Sequence, residues 1–357
     1  MMQVRQVDLK QPLNNGLCDQ EDDAGWQGLL ADVRSGRCVA FIGSGCSRPI
    51  YGSWREFVTF MAKRAGELAP DSSVPPRTFP DILQKCKAAL DARGYQSYCN
   101  ALREFLDPQD KDRYRDIHAA LVHANLCSYV TTNYDNCIEN AGVVKPNPLK
   151  PDAVQSYPRD TLRTAPLTQR YVIHIHGRAY DGTGAKCLLP DIVVTRDDFT
   201  NAYKRSDVTA LLRTLITEHC VVFVGFSAED GILEMIIQDH VRPWLDGLLN
   251  HPHPPKQDPL GDVTYYVLRD IGIERRIKRD AGGRTEKVGY DPRKAAAERR
   301  SIQNWFRLSQ YPLHERVRPV LYACAESDRK HVVLTKLMEQ LQGEASWVDS
   351  GMWGQPR

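Results

Sequence analysis

The sequence predicts an α/β fold built on a doubly wound parallel sheet, on three grounds. Short apolar runs recur along the chain. They are continuous, as strands covered on both faces require, and not alternating. Stretches with helical spacing separate them. The first stripe, Trp26, Leu29, Leu30 and Val33, leads into the first strand at Cys38–Ile42. Residues 54–120 then carry no strand-like run, only helical stripes broken by Pro75-Pro76 and Pro80, and are expected to form an inserted helical subdomain. Further strands are expected at 126–130, 171–175, 191–194, 220–224, 263–268 and 317–322. Helical stripes are expected at Leu211, Leu212, Leu215 and Ile216, at Ile232, Leu233, Met235, Ile236 and Ile237, and at Leu334, Leu337, Met338 and Leu341. The Pro-rich stretch 251–259 reads as a loop, because strand-like sequence resumes directly after it.

One segment differs in charge. Residues 269–318 hold fourteen Arg and Lys against seven Asp and Glu, hence +7. They are expected to be a solvated excursion with a helix around 295–306 and a flexible break at Ala281-Gly282-Gly283. The alternative is a surface for an acidic partner or a nucleic acid, and direct nucleic-acid binding is left open. No internal repeat is visible. The expected organisation is a polar N-terminal segment over 1–24, one domain over 25–342, and a C-terminal tail over 343–357.

Composition narrows the function. The 357 residues are 42% hydrophobic and 26% charged, and the balance is 47 − 45 = +2. That near-neutrality argues against a dedicated nucleic-acid coat or a membrane-surface protein. No run approaches the ~18 apolar residues of a membrane span, and residues 1–23 lack the apolar stretch of a secretory signal. A cytoplasmic enzyme or nucleotide-binding protein is expected. Ten cysteines include no CxxC pair, so neither a zinc ribbon nor a disulfide framework is expected.

Four strand ends carry candidate chemistry. The first strand runs into Gly43-Ser44-Gly45-Cys46-Ser47, where two positions without a Cβ let the backbone approach a pyrophosphate and offer N–H groups to it. The hydroxyls of Ser44 and Ser47 add donors. Thr132-Asn133-Tyr134-Asp135 follows the second strand, at the carboxyl edge where open α/β sheets bind ligands. By itself Thr132 or Asn133 can equally be a helix N-cap. His174-Ile175-His176-Gly177 closes another strand, and alternation is expected to send both histidines to one side. One of them reads as a satisfied core residue, and no third ligand suggests a metal. Gly225-Phe226-Ser227 ends a fourth strand.

This ordered set, Gly43-Ser44-Gly45-Cys46-Ser47 with Trp54, then Thr132-Asn133-Tyr134-Asp135, His176-Gly177 and Gly225-Phe226-Ser227, resembles the sirtuin-like NAD-binding family. It looks most like the divergent prokaryotic branch whose members hydrolyse NAD in anti-phage defence. The resemblance runs from about residue 25 to 342, and 192–199 also looks like that branch. It implies a Rossmann-like sheet, NAD+ as substrate, no further cofactor, and an effector that depletes NAD+. It also implies a homo-oligomer and a HerA-type ATPase or another sensor subunit as partner. Departures matter: the deacetylases of the family carry a four-cysteine zinc ribbon, a Pro-Asp-Phe-Arg-like segment where this chain has Gly52-Ser53-Trp54-Arg55, and Gln where it has Thr132. Protein deacylation or ADP-ribosyl transfer therefore falls behind nucleotide cleavage. A sensor or scaffold that binds NAD or ADP-ribose without turnover is the other alternative.

Carried over residue by residue, the resemblance implies that Asn133 holds the ribose hydroxyls or the attacking water. His176 is then the general base, and Asp135 supports the nicotinamide end or the local hydrogen-bond network. Gly43, Ser44, Gly45 and Ser47 hold the pyrophosphate, with Thr132 beside them and Gly225 and Ser227 closing over the adenosine or phosphate side. Asn133→Ala and His176→Ala are each expected to abolish nicotinamide release and to leave the fold intact.

Overall fold

The structure is a computed structural model that describes residues 17, 20–106, 114–142, 149, 153–179, 191–226, 236–249, 262–272, 274–280, 283–307, 313–324 and 331–342. Ser227, the stripe residues 232–235, the loop 251–259, the break at 281–282 and the tail 343–357 lie outside them, as does most of the segment 1–24.

In chain order the elements are α1 (Gln20–Arg34), β1 (Cys38–Ile42), α2 (Arg48–Tyr51), α3 (Trp54–Ala65), α4 (Phe79–Asp91), α5 (Tyr95–Leu106) and α6 (Asp116–His123). Next come β2 (Ser128–Thr131), α7 (Cys137–Gly142), β3 (Val154–Ser156), β4 (Val172–His174), α8 (Arg196–Lys204), α9 (Ser206–Glu218) and β5 (Cys220–Val224). A wide helical turn over Ile236–Val241 continues into α10 (Arg242–Leu249), followed by β6 (Tyr265–Gly272), β7 (Glu274–Asp280), β8 (Gly283–Gly289), α11 (Pro292–Trp305), β9 (Val317–Cys324) and α12 (Val332–Gln340).

Seven strands form one parallel sheet in the order β3-β4-β2-β1-β5-β6-β9. The continuous apolar runs have the cause expected of them. Along β1, Val39 and Phe41 enter the core on one face, while Cys38, Ala40 and Ile42 enter the core on the other. On β5, Val221 and Phe223 pair with Cys220, Val222 and Val224 in the same way. Helices α8, α9 and α11 cover the first face, and α1, α6, α7 and α12 the second. Each fully buried side chain such as Phe41 or Phe223 contributes about 1.5–3 kcal/mol, so the middle of the sheet is its most stable part. Because β2 and β5 flank β1, Ile42 lies level with both Thr131 and Val224. The three chains that follow them leave the sheet together at the topological switch point.

The inserted helices have a core of their own. Ser53 caps α3 through a capping box with Glu56, and Gly66 ends the helix with φ +76°. Trp54, Phe57, Val58 and Met61 of α3 pack on Phe79 and Leu83 of α4 and on Leu102 of α5. Tyr134, Ala179, Ile192 and Val194 from the sheet's carboxyl edge join this core, so the subdomain sits on that edge. Helix α6 does not join it. Its Ile117 and Leu121 pack against the sheet, and Tyr129 of β2 donates from its hydroxyl to the Val122 carbonyl at 3.0 Å.

Three local expectations need correction. Residues 191–194 form no strand: the run is apolar because Ile192 and Val194 fill the helical core and Val193 the sheet core, while its backbone pairs only singly, Val193 N–H donating to His176 O at 2.8 Å. The short edge strand β3 carries Gln155 and Ser156 and gives no apolar signal. The basic segment holds α11 where a helix was expected, but it also holds the antiparallel hairpin β7–β8, whose charged residues mask any strand pattern.

Candidate active site

The tip of β1 is packed against the tip of β5, backbone to backbone. Gly43 N–H donates to Val224 O and Gly45 N–H to Gly225 O, both at 2.8 Å. A Cβ on Gly45 would lie 2.6 Å from Gly225 O, and one on Gly225, at φ +75°, would lie 2.6 Å from Cys46 N. These glycines are therefore explained by the contact between the two tips. Cys46 N–H and Ser47 N–H are also engaged, by Gly43 O at 3.2 Å and Ser44 O at 3.0 Å. Most of the loop's amides, expected to face a pyrophosphate, serve the protein itself. The hydroxyl-bearing residues Ser44 and Ser47 do line a cleft.

That cleft, about 530 Å³ including its open mouth, lies between the tips of β1 and β2 and the inserted helices. Its polar floor is Ser44, Ser47, Thr132, Asn133 and Asp135, and its wall is Tyr51, Trp54, Phe57, Phe105 and Tyr134. Trp54 and Phe57 stack at 5.3 Å, and Phe57 contacts Phe105 at 5.0 Å. Asp135 is the charged residue among the described lining, and its Oδ1 accepts from Cys137 N–H at 3.0 Å. Gly225 closes the β1 tip from behind, outside the lining.

Asn133 is held from several sides. Thr131 Oγ1 donates to Ile42 O and accepts from Asn133 N–H, each at 3.0 Å, tying β2 to β1 at their ends. The side-chain Nδ2 donates to Gly43 O at 3.1 Å and to Ser47 Oγ at 3.3 Å. A carbonyl oxygen only accepts, so this bond fixes which amide atom is nitrogen. Oδ1 is left buried without a partner, a cost of about 1–3 kcal/mol in a closed protein. An unsatisfied acceptor on the floor of a cleft invites a ligand that donates.

The two histidines separate. His174, at the end of β4, binds Asn133 O through Nδ1 at 3.0 Å and Glu139 Oε1 through Nε2 at 2.9 Å. Burial pushes the Glu139 carboxyl up, but the His174 ring, its hydrogen bond and Arg178 outweigh that and hold it below the ordinary value. His174 is thus the satisfied core histidine, bracing the Asn133 backbone. His176 lies on the opposite face. It is fully buried, its Nε2 is 2.8 Å from Tyr203 Oη, and its ring meets Phe199 edge-on at 4.9 Å. Alternation fails here because β4 ends at His174 and the chain turns through Ile175-His176 into Gly177 at φ +87°. The described lining of the cleft includes Asn133 and not His176.

Other groups entered without a sequence signal that singled them out. His118 of α6 stands 3.4 Å from Ser47 Oγ, and His331 Nε2 donates to Gly45 O at 2.9 Å. A lone histidine in a helical stripe carries no signature. The aromatic wall was legible only in part, through Trp54. Burial pushes the thiols of Cys46 and Cys137 up, which makes them poor nucleophiles. Among the described residues, no three His, Cys, Asp or Glu side chains stand together as a metal site, and no helix is long and apolar enough to cross a membrane.

Residues 128–243, from β2 into α10, match the SIR2-like domain family. Over 233 residues the chain is 25% identical to defense-associated sirtuin 2 of Bacillus subtilis, covering 65% of this chain and 22% of that protein. The chain thus spans about a fifth of that relative's length. The matched family segment carries Asn133, His176 and Gly225 but starts after the Gly43–Ser47 turn. Sheet order, strand-tip motifs and these matches agree: over residues 128–243 the chain is similar to the SIR2-like domain family.

Proposed function

We propose that the chain hydrolyses NAD+ to ADP-ribose and nicotinamide. The observation that carries this reading is the composition of the cleft: an aromatic wall, one carboxylate, and the buried amide oxygen of Asn133 without a partner. Nicotinamide in NAD+ is a planar cation, and an aromatic wall with a carboxylate beside it suits such a group. As the glycosidic bond breaks, its electron pair goes to the ring nitrogen and positive charge moves to the ribose. Asp135 can stabilise that charge. Asn133 Oδ1 accepts from a ribose hydroxyl or from the water that attacks the anomeric carbon, and the water's proton leaves to Asp135 or solvent. His176 acts as base through Nε2 only by giving up Tyr203. Ser44 and Ser47 offer hydroxyls to the phosphates.

A role in anti-phage defence through NAD+ depletion is proposed from the likeness to the defence protein. A second reading, binding of NAD+ or ADP-ribose without turnover, is favoured by the engagement of His176 with Tyr203 and of the glycine-loop amides with backbone carbonyls. Chromatography of NAD+ incubated with wild type, Asn133→Ala and Asp135→Ala separates the two. Nicotinamide release lowered at least ~100-fold in Asn133→Ala supports hydrolysis. Tight NAD+ binding by the wild type with no product supports the second reading.

A further inference from the structure

His118 lies outside the cleft, 1% exposed on α6, yet it is one bond removed from the group that faces the ligand. Its Nδ1 accepts from the Arg115 backbone N–H at 3.0 Å. A backbone N–H only donates, so the single proton of the neutral ring sits on Nε2. The ring is neutral at physiological pH because burial pushes it down to about 4. Nε2 then donates to Ser47 Oγ across 3.4 Å, and the same oxygen accepts from Asn133 Nδ2 at 3.3 Å. With both lone pairs of Ser47 taken by N–H donors, its own hydrogen turns to a third partner, Cys137 Sγ or a ligand. The hydroxyl is therefore clamped, and with Gly43 O it fixes both hydrogens of the Asn133 amide nitrogen.

We propose that His118 is a positioning residue that, through the Ser47 hydroxyl, holds the Asn133 carboxamide with its oxygen presented to substrate. The inference rests on Asn133 facing substrate, as in the proposed function. Without the imidazole, Ser47 can rotate to offer its hydrogen elsewhere, and the amide nitrogen loses one of its two acceptors. The amide is then held by Gly43 O alone and can twist about that bond, turning its oxygen away from substrate.

Two variants test it. His118→Leu removes both ring nitrogens and keeps an apolar filling. His118→Gln keeps a side-chain N–H at the reach of Nε2. Nicotinamide release should show kcat lowered about tenfold in His118→Leu with KM changed far less, the size of one lost hydrogen bond in the transition state. His118→Gln should recover most of it. The double variant Ser47→Ala with His118→Leu should be no slower than Ser47→Ala alone, because both act on one amide. A purely structural role would lower thermal stability in both variants and leave kcat per folded molecule unchanged, which overturns the proposal. So does equal loss in Gln and Leu. If the wild type releases no nicotinamide, the hydrolase reading fails, and calorimetric NAD+ affinity decides the inference separately: weaker binding in Leu restored in Gln supports it. Unchanged affinity across the set, or no binding by the wild type, overturns it.

Discussion

Asn133 and His176 were expected to act as a pair, and their surroundings show that substituting them tests different things. Asn133 spends its nitrogen on Gly43 and Ser47 and keeps an unpaired oxygen. Truncating it loses two hydrogen bonds but also removes the unsatisfied oxygen, so the net cost is about 1 kcal/mol. His176 fills a fully buried position between Phe199 and Tyr203. His176→Ala opens a cavity and removes the hydrogen bond with the Tyr203 hydroxyl, so a loss of about 2–4 kcal/mol is expected in chemical denaturation. A variant as stable as wild type would contradict this placement. The earlier expectation that His176→Ala leaves the fold untouched gives way for that reason. His118 supplies a pH signature at the same scale. Its folded value of about 4 lies below the ordinary 6.5, set mainly by burial, opposed by Asp135, with His331 adding to the shift. Between those values the unfolded chain binds a proton that the folded chain refuses. Its contribution to stability is therefore complete above pH 6.5 and lost as pH falls toward 4. Unfolding free energies near pH 7.5 and pH 5 should differ by about 2 kcal/mol more in wild type than in His118→Gln. Equal slopes would show that His118 titrates normally.

At the scale of elements, the glycines separate contact from conformation. Gly45 has no unusual backbone angle, yet a Cβ there would meet Gly225 O at 2.6 Å across the tips of β1 and β5. Gly45→Ala is expected to destabilise by about 1–3 kcal/mol, since backbone must move on both sides. Gly247, in α10, has nothing within 4 Å of such a Cβ. Gly247→Ala should stabilise by about 0.5–1 kcal/mol through helix propensity. Thermal melts of the two variants check the contrast, and shifts of the same sign would refute it. Strand tips were legible because the physics that makes them is local. Apolar β1 and β5, buried on both faces, each end in Gly, and those glycines fall where the chain must turn close to its neighbour. What Gly43 and Gly45 do was not legible. A turn that approaches another backbone and a turn that approaches a phosphate select the same residue, and only the partner 180 residues away decides between them. The shared side expected for His174 and His176 failed for a related reason: alternation holds only while the strand lasts, and β4 ends at His174, before Gly177 turns the chain at φ +87°.

The whole molecule is a parallel sheet whose carboxyl edge is roofed by the inserted helices. Sequence alone located both layers, because a helical stretch without strands between two apolar runs has few other arrangements. It did not show how they join. Two kinds of contact hold the roof down, and their magnitudes differ. Arg196 makes a two-pronged ion pair with Asp81 at 2.9 and 2.7 Å, but the side chains are 41% and 50% exposed. Water and salt screen such a pair, so Asp81→Ala should cost under ~1 kcal/mol. Ile192, 4% exposed, plugs the helical core from the sheet side, and Ile192→Ala should cost about 2–5 kcal/mol. Denaturation of both variants ranks them, and the reverse order would mean that charge and not burial joins the layers. The same roof carries Trp54, Phe57 and Phe105 over Asn133, which makes the apolar plug part of the route to function.

The proposed hydrolysis requires one cleft to grip NAD+ with the Asn133 amide oxygen toward the scissile bond. The most direct measurement is nicotinamide release from NAD+ by wild type and by Asn133→Ala, each normalised to folded protein. A wild type that turns over, with the variant at least ~100-fold slower at equal stability within ~1 kcal/mol, is the predicted result. Turnover by Asn133→Ala at the wild-type rate would contradict it.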